Sequence, residues 1–220
     1  MIESFIQPAS SYAADIDFVI NLIGVLVTFW GGLTAAMFFY LLWRYRYREG
    51  VKALYVTGNE PELKRWINGP HYLIILCDLF IIGFAVQTWY KVKQEIPPVD
   101  DQVRVVAQQW AWTFQHSGPD GKLDTEDDIK TADVLHVEVD KTYQFTLASR
   151  DVLHSFSIPV FRLKQDVIPG REIQGWFHPT VAGAFDLQCA EMCGIGHGIM
   201  AARVIVETPE QHAAWLAGAK

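Results

Sequence analysis

Residues 189–200 read CAEMCGIGHGIM. Two thiols lie four positions apart, an imidazole follows four beyond the second, and a thioether three beyond that. The whole chain has only three cysteines, and Cys77 stands alone in an apolar run. Four chemistries use such residues: a disulfide, a zinc site, haem attachment and a copper centre. Haem attachment needs C-x-x-C-H, and the spacing here is C-x-x-x-C-x-x-x-H. A disulfide, which forms outside the cytoplasm, would use Cys189 and Cys193 and leave His197 and Met200 without a role. Zinc would take two thiolates and an imidazole but still need a fourth ligand, and a thioether is a poor one. Copper uses the whole set, since thiolate, thioether and imidazole are the donors copper centres are built from.

A mononuclear blue-copper site takes one Cys, two His and a weak axial Met. Two cysteines suit instead two metal ions bridged by both sulfurs, each wanting one imidazole. His197 supplies one. His154, in SRDVLHSFSIP, is the best candidate for the other, because it opens a strand. His136 alternates outward on its strand, and His71, His116, His178 and His212 read as surface or membrane-interface residues. Met200 then serves as an axial ligand, and the carbonyl of Glu191, between the cysteines, offers a weak oxygen.

The elements that must position these groups are of two kinds. From Phe18 to Trp43 there are 26 residues without a charge. About 20 apolar residues span a bilayer core, so this is a transmembrane helix. The run is too long for a signal-peptide core and no small-residue cleavage site follows, so it reads as an uncleaved anchor. A second run, PHYLIILCDLFIIGFAVQTWY, carries one charge, Asp78, and is flanked by Trp66, Trp89 and Tyr90 like an aromatic belt. Helices are expected over about residues 18–43 and 70–92, in a hairpin occupying 1–95. Arg44, Arg46, Arg48, Lys52, Lys64 and Arg65 crowd the loop between them, while the N-terminal tail has no Lys or Arg. The positive-inside rule makes the loop cytoplasmic and sets the N-terminus and everything after residue 95 outside. The chain is thus a multi-pass protein of a bacterial-type inner membrane, with the lipid bilayer as a partner.

Residues 96–220 read as the extracytoplasmic domain. Val-, Ile- and aromatic-rich stretches such as VRVVAQQWAWTF, and the alternation in DVLHVEVDKTYQFTLAS, predict short strands separated by Gly and Pro. Such strands imply an all-β sandwich or barrel. Thr208-Pro209-Glu210-Gln211 is a capping box that opens a short terminal helix. The acidic stretch 118–130, GPDGKLDTEDDIK, is a solvated hairpin excursion. Its oxygen ligands would also suit calcium, but the EF-hand spacing and closing Glu are missing. The formal charge is −7, and the whole deficit lies after residue 95, where ten basic face seventeen acidic residues. That argues against nucleic acid and for a cationic partner.

VLHSFSIP, KQDVIPGR and CAEMCGIGHGIM, preceded by the hairpin and QQWAW, resemble subunit II of cytochrome c oxidase, of the haem–copper oxidase superfamily. The resemblance runs through the whole chain in order. It implies a cupredoxin-like domain with a binuclear copper A centre. It also implies a role in passing electrons from cytochrome c to haem in subunit I, where O2 is reduced with proton pumping; haems belong to that partner alone. Carried over by residue, the ligands are His154, Cys189, the Glu191 carbonyl, Cys193, His197 and Met200. The Glu191 side chain matches the family's ligand to magnesium or manganese at the subunit I interface, where Asp166 and Arg171 also fall. Trp110 matches the tryptophan through which electrons arrive, although the family's W-Y-W is W-A-W here. Gln109, Asp140 and Asp151 fall on the docking face for cytochrome c. Subunit III is a further expected partner. Glu62 falls near the family's proton-uptake glutamate, and Asp78 is expected to contact subunit I. No C-terminal haem c domain is read after the β-domain, so the donor is expected to be a separate or separately tethered cytochrome. Two rivals stand beside this: a copper A subunit of a haem–copper nitric oxide reductase, and a non-enzymatic membrane-anchored copper protein such as a carrier. A carrier needs exposed, exchangeable ligands, which a paired-Cys site with a distant His154 does not provide.

Overall fold

Both apolar runs lie inside helices longer than themselves. The computed structural model describes residues 4–53 and 55–218. Helix α1 spans Ala13–Arg44, with Asp15 in its first turn and Arg44 in its last, each favourable to the helix dipole. Helix α2 spans Pro61–Trp89 and continues as a π-helical turn over Tyr90–Gln94. The expected start near residue 70 is corrected. The Glu60 carbonyl accepts the Leu63 and Lys64 amides at 3.1 and 3.0 Å, and Pro61 sits at the first helical position, where its missing N–H costs nothing. Pro70 is then interior to the helix, as membrane helices tolerate. At 1.5 Å per residue the 32 residues of α1 extend about 48 Å, more than a hydrocarbon core of about 30 Å.

The chain forms two compact units, Phe18–Thr88 and the remainder. The first is the helical hairpin, where Phe18 meets Phe84 edge-on at 5.1 Å. The second joins the segment before Phe18 to everything from Trp89 onward. Among the described residues its strands are β1 (Asp101–Gln108), β2 (Ala111–His116), β3 (Ile129–Ala132), β4 (Val134–Glu138), β5 (Tyr143–Ser149), β6 (His154–Ile158), β7 (Leu163–Val167), β8 (Ile173–Phe177), β9 (Gly183–Cys189) and β10 (Ala201–Glu207). They make two sheets, ordered β3-β2-β1-β5-β8 and β4-β10-β9-β6-β7. Most neighbours are antiparallel; β1 with β5 and β4 with β10 are parallel.

The core lies between the sheets. Period-two alternation sends Val103, Val105 and Ala107 of β1 inward with Trp112 and Phe114 of β2. They meet Phe156 and Ile158 of β6, Leu187 of β9 and Val204 of β10. The Phe145 and Phe156 rings lie 5.7 Å apart and link the two sheets. Glu138, Val139 and the acidic loop lie at strand ends; the loop joins the antiparallel pair β2 and β3.

The segment ahead of Phe18 is stitched to this sandwich. The Ala9 amide donates to Val160 O at 2.8 Å, and the Thr180 amide to Ala9 O at 3.0 Å. Arg162 grips Asp17 through Nε and Nη2 at 2.6 and 2.9 Å, with both side chains almost fully buried. At the other terminus, helix α3 (Pro209–Gly218) begins with the expected box. The Thr208 amide donates to Gln211 Oε1 at 3.0 Å, and the Gln211 amide returns to Thr208 Oγ1 at 3.4 Å.

Candidate metal centre

Three strands of one sheet end at the same place. His154 is the first residue of β6, Cys189 the last of β9, and Met200 immediately precedes β10. Antiparallel pairing of β9 with β10 closes the loop 190–200 on itself, and the Cys189 amide donates to Met200 O at 3.1 Å. The Ala190 amide donates to Ser155 O at 2.9 Å, which draws β6 to the same end. A single helical turn, His197–Ile199, then carries the second imidazole.

The donor atoms converge. The Cys189 and Cys193 sulfurs are 3.8 Å apart, with both cysteines free. Cys189 Sγ lies 3.8 Å from His154 Nδ1 and 3.2 Å from the Glu191 carbonyl. Cys193 Sγ lies 3.6 Å from His197 Nδ1 and 3.7 Å from Met200 Sδ. Each sulfur thus has its own imidazole, and the carbonyl and thioether are divided between them. The ligating atoms of His154, Cys189 and Cys193 all fall within 4.8 Å of one another, as in no other such group among the described residues. The inner donors are shielded: His154 is 0% exposed, Cys193 3% and Met200 2%, while His197 is half-buried and lines an open cleft with Cys189 and Met200. Burial, reinforced by the Cys189 sulfur, pushes the Cys193 thiol up to about 11. Two thiolates are therefore costly here unless a cation compensates them, and a metal would do so.

A further layer fixes these groups. His154 Nε2 lies 2.9 Å from Asp151 Oδ1, which leaves Nδ1 free to face the sulfurs. The other Asp151 oxygen accepts the Gln109 amide at 2.7 Å. Partial burial works against this carboxylate. Hydrogen bonds from the Gln109 amide, the His154 ring and the Val152 amide nonetheless hold it below the usual range. Gln109 Nε2 and Trp110 Nε1 both donate to Cys193 O, at 2.8 and 3.3 Å. Trp110 is 40% exposed, whereas Trp112 is buried against His154 and Phe156. The indole of Trp110 lies on Gly196, where any Cβ would run into the ring. Gly194, at φ +118°, takes a backbone shape that side chains rarely allow. Met192, Ile195 and Ile199 stand exposed on the same loop.

The remaining predicted site residues lie elsewhere. Asp166 on β7 is register partner of Ser155, one position from His154, and Arg171 is in the exposed turn beyond β7. Asp140 lies apart from the cluster. It occupies the β4–β5 turn at φ +60°, with its amide on Pro179 O. The seven-residue strand β5, about 23 Å long, separates it from the loop that bears Asp151. Asp151 itself is committed to His154 and Gln109. Nothing in the ligand spacing announced this role, although three positions before a ligand histidine is a place where such a carboxylate can fold back.

Two histidines expected at the surface are buried, and this is a correction. His116 and His212 are each 5% exposed. His116 continues the inward phase of Trp112 and Phe114, and its Nε2 lies 3.1 Å from Thr131 Oγ1. Helix α3 covers it. Glu207 divides its carboxylate between His136 Nδ1 at 2.7 Å and His212 Nδ1 at 2.8 Å. Trp215 stacks on His136 at 4.4 Å and meets His116 edge-on at 5.0 Å.

Fold and site together define a membrane-anchored, cupredoxin-like protein: two apolar helices, a β-sandwich, and a buried Cys–His–Met cluster at one end of a sheet. A family model described as cytochrome c oxidase subunit II, periplasmic domain, matches residues 102–208. The chain is 32% identical over 218 residues to an alternative cytochrome c oxidase subunit 2 of Bradyrhizobium diazoefficiens, covering 86% of this chain and 76% of that one. It is 32% identical over 203 residues to a heme-copper oxidase subunit 2 of Aeropyrum pernix, covering 86% and 82%. It is 28% identical over 245 residues to cytochrome c oxidase subunit 2 of Cereibacter sphaeroides, covering 97% and 79%. The crystal structure of the periplasmic domain of subunit II of cytochrome oxidase (CoxB) of Bradyrhizobium japonicum matches with a TM-score of 0.51 and 26% identity, over 57% of this chain and 96% of that domain. The chain belongs to the cytochrome c oxidase subunit 2 family.

Proposed function

We propose that this protein is the electron-accepting subunit of a haem–copper oxidase. In this reading two copper ions are held by His154, Cys189, the Glu191 carbonyl, Cys193, His197 and Met200. The observation that carries it is the pair of buried sulfurs, 3.8 Å apart, each with its own imidazole nitrogen. A mononuclear site would have no use for the second sulfur. The paired thiolates and the thioether are soft donors of the kind copper takes, and His154, Cys193 and Met200 are shielded from solvent. Bound there, the metal pair would supply a delocalised one-electron store.

The protein's own residues do the rest. The start of β6 and Asp151 hold the His154 imidazole in one orientation, and the turn His197–Ile199 positions the other, so that a change of oxidation state moves little. Trp110, half in solvent and hydrogen-bonded to the Cys193 carbonyl, is the contact for the electron donor. The exposed Met192, Ile195 and Ile199 give that donor an apolar seat. The acidic domain steers a basic cytochrome c toward it, with an on-rate that falls as salt rises. Gln109 belongs to this contact face. The Glu191 side chain, Asp166 and Arg171 face the haem-bearing subunit I, where Glu191 contributes to a magnesium or manganese site. Subunit III completes the membrane assembly, and the sandwich lies on the periplasmic side.

Metal analysis and electron paramagnetic resonance of the purified full chain test this reading. Two coppers per chain with a mixed-valence signal are expected. One zinc and no copper would sink it.

A further inference from the structure

The two imidazoles of the centre are held unequally. His154 is locked: it is fully buried, its Nε2 meets Asp151 at 2.9 Å, and Trp112 packs edge-on against its ring. Cys193 is roofed by Gln109 and Trp110, which both donate to its carbonyl, and the Trp110 indole covers the loop at Gly196. His197 is half-buried on a single helical turn, with Nδ1 toward the Cys193 sulfur. Among the described residues nothing is hydrogen-bonded to its Nε2. A cleft of about 230 Å³ opens at this ring and reaches Cys189 and Met200 as well. Its rim includes Gly198 and the register partners Gln188 and Ala201, which point outward from β9 and β10. Gly198 and Ala201 are small, and a Cβ on Gly198 would meet nothing within 4 Å.

We propose that copper reaches the centre through this cleft, and that His197 is the ligand that meets it first. The inference rests on the copper reading above. An entering ion needs donors that replace its carrier's ligands one by one. On the Trp110 side the surface groups are an indole and an amide whose N–H donors are spent on the Cys193 carbonyl, and neither gives copper a soft donor. In the cleft an imidazole, a thioether and a thiol stand together. His197 can turn outward about its own side-chain bonds because its outer nitrogen is untied. His154 cannot do so without breaking its bond to Asp151. His197 therefore takes a copper from the cleft, and the position at His154 fills behind it. Each thiol releases its proton to solvent as its sulfur binds the metal.

The test follows copper uptake by the metal-free full chain in detergent, under nitrogen, with cuprous ion supplied as its bicinchoninate complex. Fading of that complex's colour gives the rate. One-electron oxidation with ferricyanide afterwards gives the mixed-valence signal that reports a correctly built site. Gly198→Leu and Ala201→Leu fill the cleft and should slow uptake about tenfold or more, with final copper content and signal like the parent's. Ala184→Leu, on the same outward face of β9 but beyond the cleft, should load at the parent rate. His154→Ala should take up one copper within about twofold of the parent rate, whereas His197→Ala should slow the first copper about tenfold or more. Parent rates in both cleft-filling variants overturn the proposal. So does a first copper that enters His197→Ala faster than His154→Ala. Should Gly198→Leu lose copper altogether through a disturbed turn, Ala201→Leu, on a regular strand, decides alone. A parent chain that takes up no copper would instead sink the copper reading itself.

Discussion

Two clusters in the sandwich are built from metal-binding residue types, and they differ in what their donor atoms face. At the ends of β6 and β9 the donors face one another: two sulfurs at 3.8 Å, each with an imidazole Nδ1 at 3.6–3.8 Å. Beneath α3 the donors are consumed. Glu207 holds the Nδ1 atoms of His136 and His212, His116 leans on Thr131, and Trp215 fills the space between the rings. Residue type alone would rank three histidines and a glutamate as a site. What makes a metal centre is a set of lone pairs left unspent on one another, in a pocket whose supporting hydrogen bonds come from behind. Asp151 supplies that support for His154, whereas Glu207 stands in front.

The contrast breaks most sharply on Cys193→Ser. Loss of one bridging sulfur should abolish the mixed-valence signal outright, while His212→Ala should leave copper content untouched and lower only thermal stability. Loss of copper in His212→Ala would show the second cluster to be coupled to the first. Next in size is Asp151→Ala. Removing an outer partner of a metal-ligating histidine costs about 10- to 100-fold in metal affinity. Here Trp110 fluorescence should change as well, because the Gln109 amide loses its acceptor. A copper titration by isothermal calorimetry measures the first effect, and unchanged affinity would reduce Asp151 to a surface acid. Met200→Leu should be smaller still. Copper should stay bound, held by the two thiolates and two imidazoles, while its reduction potential shifts and electron uptake slows. An unchanged potential in voltammetry would remove Met200 from the ligand set.

Much of this was legible in the sequence because it rests on short-range patterns. The uncharged runs, the capping box at Thr208 and the crowded motif at 189–200 all report on neighbours in the chain. What was hidden depends on long-range packing. Strand β7, LKQDV, sits at a sheet edge with only Leu163 and Val167 fully buried, so its polar middle masks the strand. The stitching of the first residues to the sandwich through Asp17 and Arg162 spans 145 positions and has no local signal. His116 is a different matter. It continues the inward phase of Trp112 and Phe114, and strict alternation would have put it inside. The outward reading treated a polar residue as a surface residue, although a strand end covered by a helix can bury one that finds partners.

That burial has a consequence for acid stability, and it belongs to the second cluster alone. Burial, together with repulsion from His136 and His212 when they are charged, lowers His116 to about 3. In the unfolded chain an imidazole titrates near its ordinary value of about 6.5. Above that value neither state binds the proton, and the group has no effect on stability. As pH falls below it, the unfolded chain takes up a proton that the folded chain refuses, so stability is lost progressively toward pH 3. The slope from this one group is at most about 1.4 kcal/mol per pH unit. Thermal melts of the metal-free protein between neutral pH and the mid-acid range should show this decline in the parent. His116→Gln can still reach Thr131 but carries no titrating proton, so it should show a shallower one. Identical slopes in the two proteins would mean that His116 is protonated in the fold. The α3 cluster would then hold a charge and would resemble the metal centre more closely than its hydrogen bonds imply.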